Sequence, residues 1–350
     1  MRKLAAFLAF VVPFLAAAAP KVAVDQPVYD FGEVKEGVII QHAFVIKNVG
    51  DEPLVFTREP YTSCGCTVAA LPKKTIMPGE SIELMATFDS TGFGGRYVRK
   101  TIWVYTNDPE TPKLILIIQG YVRPAEPHER SGWYLKYELY LLVDVRPPEE
   151  YDRAHLLGAV NIPLEELPGK LAGVPKSVLI YLYDETGELS SQAVQRLVSA
   201  GYRFSRFLKG GLVGWQSRYG NLLIEFGDEG PVVFQGRTVG AGRYAVDPSS
   251  LLRRYIVMLD VRSPEEYAEG HILGAINVDT GVLPQWVASH IPRSMPQGAR
   301  LTIWCIDEEG SRACSAAKYL RAQGYNAYCL LGGLEQWRSR YGGFLWVSSE

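Results

Sequence analysis

Asp144 to Ile162 reads DVRPPEEYDRAHLLGAVNI, and Asp260 to Val278 reads DVRSPEEYAEGHILGAINV. Twelve positions are identical, so the chain carries an internal repeat. A second matched pair follows: GGLVGWQSRYG from Gly210 and GGLEQWRSRYG from Gly332, with extra loop residues in the second copy around Trp286 to Gln297. In each copy an apolar run (LYLLVDVR from Leu139, YIVMLDVR from Tyr255) precedes a short helix, and a second run (SVLIYLY from Ser177, LTIWCI from Leu301) precedes a longer one. Strands alternating with helices predict a parallel sheet covered on both faces. The spacing of Ala313, Ala316, Ala317 and Leu320 predicts a helix near Arg312 to Gln323 that stops at Gly324.

Upstream, residues 22–123 alternate apolar and polar in short runs such as HAFVIKNVG, SIELMATFD, KTIWVYTND and KLILIIQGYV, broken by Gly, Pro and Asn-Asp turns. That pattern predicts an antiparallel β-sandwich. The polar segment 124–130, PAEPHER, reads as a linker, residues 131–225 and 246–346 as the two repeats, and 226–245 as a second linker.

Residues 1–19 have the three parts of a secretory signal: Arg2 and Lys3, an apolar stretch from Leu4 to Leu15, then Ala16 to Ala19. The stretch is shorter than the roughly 20 apolar residues of a membrane span. The expectation is an exported, periplasmic protein, soluble after cleavage behind Ala18, with an uncleaved anchor as the alternative. With 36 basic and 38 acidic side chains the net charge is -2, which excludes a broad field for nucleic acid. Five cysteines are too few for a disulfide framework, and an odd count leaves at least one thiol unpaired within the chain.

The Asp-Val-Arg-x-Pro-Glu-Glu-Tyr…Gly-Ala-x-Asn signature and the later Gly-Gly-x-x-x-Trp, present in both copies, resemble the rhodanese superfamily. The resemblance implies two small α/β domains with parallel sheets. It also implies a reactive cysteine that follows a central strand, opens a loop of inward-facing amides, and carries sulfur as a persulfide. It assigns that role to Cys305, with Gly310, Ser311 and Arg312 as the loop and its donor-binding end, and Asp260, Arg262 and His271 as fold-organising residues beside it. The loop usually has two residues between Cys and Gly. From Cys305 to Gly310 there are four, Ile306, Asp307, Glu308 and Glu309, which reads as a loop lengthened by two and made acidic.

In the first repeat Leu182 falls at the cysteine position, so that copy is read as inactive. The alternative for Cys305 is a small buried apolar residue at a strand end, and Cys314 and Cys329 are read as packing residues, with Cys314 also a resolving thiol should it face Cys305. The function expected is sulfur transfer with a small sulfur species or a protein persulfide as donor. The rival is a non-catalytic envelope binding or scaffold protein.

The first block resembles a bacterial immunoglobulin-like family of no known function, through Asp30-Phe31-Gly32, Lys47-Asn48-Val49-Gly50, Ser63-Cys64-Gly65-Cys66-Thr67, Pro78-Gly79-Glu80 and Thr106-Asn107-Asp108-Pro109. Its expected role is to dock an envelope partner. Cys64 and Cys66 admit three readings: structural thiols or a redox bond in a turn, an acceptor of sulfur from Cys305, or two ligands of a soft metal. Two thiolates alone leave a zinc site incomplete, so no metal is expected; nothing in the sequence suggests a nucleotide, flavin or haem.

Overall fold

The computed structural model describes residues 18–342 and 344–348. Most of the expected secretory signal, residues 1–17, lies outside the described residues. Among the described residues no helix is long and apolar enough to cross a membrane. The chain divides into one unit ending at Pro124 and another beginning at Ala125.

The first unit is all β. Strand Ser81–Asp89 alternates exposed and buried positions, and its buried members Leu84, Ala86 and Phe88 meet Phe44, Ile46, Ile102, Val104, Leu116 and Ile118 in one core. One four-stranded sheet runs Val22–Val24, Ile39–Asn48, Ser81–Asp89, Thr67–Ala70; the other runs Val28–Lys35, Lys113–Arg123, Arg96–Tyr105, Tyr61–Thr62. The sandwich is not wholly antiparallel as expected: Val28–Lys35 pairs parallel with Lys113–Arg123, with a register shift at Gly120. A Cβ on Gly120 would lie 2.4 Å from the Phe31 ring, so the glycine makes room for that side chain.

The second unit holds two parallel five-stranded sheets. The first repeat orders its strands Val160–Asn161, Tyr140–Asp144, Leu179–Tyr183, Ser205–Leu208, Ala245–Val246. The second orders them Glu129–Ser131, Ala327–Leu331, Leu301–Ile306, Tyr255–Asp260, Ala275–Asn277. The helix predicted near Arg312 spans Ser311–Ala322 and buries Ala313, Ala316, Ala317 and Leu320.

The linkers are corrected by these sheets. Glu129–Ser131, just ahead of the first repeat, completes the sheet of the second repeat, and Ala245–Val246, ahead of the second repeat, completes the sheet of the first. Each repeat thus lends its leading strand to the other. These edge strands are only two or three residues long, and a segment that short carries no periodicity to betray a strand. Tyr255 donates its hydroxyl to the Leu157 carbonyl at 2.7 Å, and Tyr140 accepts from the Ile256 amide at 3.0 Å, so the repeats share hydrogen bonds as well.

Candidate functional site

The loop expected to carry the chemistry follows strand Leu301–Ile306. Both faces of that strand are covered, as in a parallel sheet under helices. Leu301, Ile303 and Cys305 enter one apolar cluster, and Trp304 and Ile306 enter the other. Cys305 therefore sits one residue before the strand ends, fully buried. The Cys305 thiol is pushed well above its ordinary value, first by burial and then by the neighbouring Asp307 charge. A thiolate is the reactive form, so this environment opposes nucleophilic chemistry. The assignment of Cys305 as an activated nucleophile beneath loop amides is corrected: its sulfur is sealed among apolar side chains.

The loop begins instead at Asp307. Two residues, Glu308 and Glu309, separate it from Gly310, so the loop has the usual family spacing rather than an insertion of two. Gly310, with φ of 96°, turns the chain into helix Ser311–Ala322, and the Arg312 amide donates to Asp307 Oδ2 at 2.9 Å. The amides of Gly310, Arg312 and Ala313 favour the Asp307 carboxylate, but burial outweighs them and holds its carboxyl above the usual range. Asp307 Oδ1 is buried without a hydrogen-bond partner. A carboxylate occupies the amide cradle that the resemblance reserves for an anionic sulfur.

The first repeat repeats the arrangement with better satisfaction. Asp184 Oδ1 accepts from the Ser190 hydroxyl at 2.6 Å and its amide at 3.2 Å, and Oδ2 accepts from the Thr186 and Leu189 amides at 3.4 and 3.2 Å. Gly187, with φ of 94°, is the counterpart of Gly310. Sheet register makes the equivalence independent of alignment: Asp144 pairs with Tyr183 and Asp260 with Ile306, so Leu182 matches Cys305 and Asp184 matches Asp307. The signal in the sequence is Asp-x-x-Gly, present twice, from Asp184 to Gly187 and from Asp307 to Gly310.

The Gly-Gly-x-x-x-Trp motif closes each loop from behind. Leu334 and Glu335 amides donate to the Asp307 and Glu308 carbonyls at 2.9 and 3.1 Å, and a Cβ on Gly333 would lie 2.2 Å from the Glu308 carbonyl oxygen. Gly211 stands in the same relation to the Asp184 carbonyl oxygen, again at 2.2 Å. Trp337 and Trp215 anchor the two helices in the core.

The remaining predicted residues are engaged. Asp260 receives the Arg262 Nε and Nη2 at 2.9 and 2.7 Å, and the same guanidinium donates to the Gly270 carbonyl at 2.6 Å. His271 stacks on Tyr267 with centroids 3.8 Å apart, its Nδ1 lies 3.1 Å from the Tyr267 carbonyl, and burial lowers its pKa. Ser311 is exposed at the first turn of the helix.

Arg312, read as a holder of the donor's anionic end, is corrected. Both terminal nitrogens are taken by Glu266, at 3.0 and 2.7 Å, which turns the guanidinium toward helix Pro264–Glu269. Glu308 is likewise paired, with Arg338 and with Arg262 at 3.5 Å, while Glu309 is exposed.

Two disulfides account for four cysteines. Cys64 bonds to Cys66, and Cys314 bonds to Cys329 with a Cα separation of 4.8 Å, leaving Cys305 free. Cys314 and Cys329 are thus a cross-link between helix Ser311–Ala322 and strand Ala327–Leu331 rather than packing thiols, and Cys314 is not a resolving partner of Cys305. Among the described residues no group of three or more His, Cys, Asp or Glu side chains is placed to hold a metal.

Paired parallel sheets, each with a short amide-lined loop between its central strand and the following helix, define a tandem rhodanese-type protein. The rhodanese-like domain model matches residues 134–218 and 248–340, and the chain belongs to that family. Residues 22–122 match DUF1573, a domain described only as a protein of unknown function. Thiosulfate sulfurtransferase GlpE of Pseudomonas entomophila is 38% identical over 88 residues, 25% of this chain and 74% of that protein.

The probable adenylyltransferase/sulfurtransferase MoeZ of Mycobacterium tuberculosis is 28% identical over 165 residues, 40% of this chain and 42% of its own length. The crystal structure of a thiosulfate sulfurtransferase from Pseudomonas aeruginosa is 23% identical, covering 57% of this chain and 39% of that one, with a TM-score of 0.24. The family model and the two sequence relatives, GlpE and MoeZ, tie the rhodanese-like part of the chain to sulfur transfer as a class of chemistry.

Proposed function

We propose that this chain is a binding protein built on the rhodanese fold, in which both loops hold their own carboxylate in place of a transferable sulfur. One observation carries the reading: Asp307 and Asp184 stand at the loop origin in the two repeats, each receiving loop amides. An aspartate cannot form a persulfide, and its carboxyl group already takes the loop amides that thiosulfate or any other anionic donor would need. The one free thiol is buried and held protonated.

The protein acts outside the cytoplasm in this reading, where the secretory pattern of residues 1–19 would send it and where two disulfides suit the redox environment. Its partner is an envelope protein engaged through the sandwich or the paired repeats. The test is sulfur loading of the full chain incubated with thiosulfate, polysulfide or a small persulfide, read as cyanolysable sulfur. The parent protein is expected to carry none. Asp307→Cys, which restores a thiol to the amide cradle, is expected to acquire it. Sulfur on the parent protein that disappears in Cys305→Ala would overturn the proposal.

A further inference from the structure

We infer that Cys64 and Cys66 form a thiol–disulfide exchange site in the sandwich, one that opens and closes without unfolding the domain. The bond spans a single residue, Gly65, in the turn where the chain leaves strand Tyr61–Thr62 of one sheet for strand Thr67–Ala70 of the other. Each of those strands is the edge of its sheet, so among the described residues no further strand pairs outside either of them. A Cβ placed on Gly65 would meet nothing within 4 Å, and both cysteines are only half-buried. A thiolate therefore has a path to the sulfurs.

The turn does not depend on the cross-link. The Thr67 amide donates to the Cys64 carbonyl at 3.3 Å, the Thr62 hydroxyl donates to the Cys64 and Thr67 carbonyls at 3.0 and 2.9 Å, and the Asp89 amide donates to the Cys66 carbonyl at 2.9 Å. Ser63 is fastened to Thr101 by hydrogen bonds in both directions, at 3.0 and 3.1 Å. A ring closed over so few residues also removes little freedom from the unfolded chain. The second disulfide is the opposite case: Cys329 is fully buried and joins a helix to a central region of a sheet.

Thr67 adds chemistry to this access. Its hydroxyl is buried and lies 3.6 Å from the Cys64 sulfur and 3.9 Å from the Cys66 sulfur. It is placed to donate to whichever sulfur leaves as a thiolate. Cys66 packs against the sandwich core, so the outer sulfur of Cys64 is the one attacked. An incoming thiolate bonds to Cys64 Sγ, the Cys64–Cys66 bond breaks, and its electron pair remains on Cys66 Sγ. A second thiolate then attacks the incoming sulfur of the mixed disulfide and releases Cys64 as a thiolate. Two thiols have become one disulfide, and two electrons and two protons reside on the reduced pair. The co-reactant is a small or protein-borne thiol.

The experiment treats the full chain with glutathione under native conditions and follows alkylation of each cysteine by peptide mass spectrometry, with circular dichroism in parallel. Cys64 and Cys66 are expected to become alkylated together, at least about tenfold faster than Cys314 and Cys329, with the sandwich spectrum unchanged. In Cys66→Ser, Cys64 is expected to hold glutathione as a stable mixed disulfide. Thr67→Val is expected to slow the first step severalfold at every pH and, in the reduced protein, to shift the pH profile of alkylation of Cys64 and Cys66 upward, a change that a merely structural hydroxyl would not produce. Reduction of the two pairs at the same rate, or reduction of Cys64 and Cys66 only when the sandwich unfolds, would overturn the inference. So would recovery of both as free thiols from protein kept in an oxidising buffer.

Discussion

Cys305 and Asp307 lie two residues apart, and their environments set what each does. The cysteine still belongs to a strand buried on both faces, whereas the aspartate has passed the strand end and meets the amides of the helix that follows. Native alkylation of Cys305 is expected to stay negligible up to pH 9.0, the ordinary thiol value, because its pKa is raised further; labelling there on the intact chain would contradict the burial. Cys305→Ser places a hydroxyl among apolar neighbours and is expected to cost about 1–3 kcal/mol, read by denaturant unfolding.

Glu266 behaves in the opposite sense to the thiol. Its pKa is lowered to about 2, first by Arg312 and then by the Ser263 amide, so its contribution to stability is present above its ordinary 4.5 and lost as pH falls toward 2. The pair is more than a third exposed, so the effect is at most about 1 kcal/mol. The stability difference between the parent protein and Glu266→Gln should therefore be small at neutral pH and vanish near pH 2.

At the level of elements, each loop is clamped between two helix N-termini. The helix after Gly310 supplies amides to the Asp307 side chain, and the helix after Gly332 supplies amides to the loop carbonyls. The second helix can approach only because Gly333 lacks a side chain and takes φ of 58°. Gly333→Ala is expected to destabilise the chain by roughly 2–4 kcal/mol through overlap with the Glu308 carbonyl. The equal change at Gly324, where no atom lies within 4 Å, should cost only its backbone strain at φ of 91°. Thermal unfolding of the two variants side by side checks the difference.

For the whole molecule, the exchange of leading strands joins the two repeats through both of their sheets. The apolar clusters cross between repeats in the same way, Tyr140 and Leu142 sharing one with Tyr255 and Leu259. A shortened chain starting at Val246 would lose Glu129–Ser131 from its own sheet and expose the Cys329 edge. It is expected to melt well below the chain Ala125–Glu350, and to lose the single unfolding transition that the paired repeats should give. Two separate transitions for Ala125–Glu350 would show that the strand exchange does not couple them.

The repeat, the alternation of strand and helix, and the separate β-block were legible in the sequence because periodicity and duplication are local properties. The helix Ser311–Ala322 and its buried face followed from spacing alone. What carries the chemistry was not legible in the same way. Which residue opens the loop depends on where the strand stops, and a one-residue register decides whether a side chain meets amides or apolar core. The pairing of Cys314 with Cys329, and the loan of each leading strand to the other repeat, join segments distant along the chain. Such contacts are set by how the layers pack, and only the tertiary structure decides them.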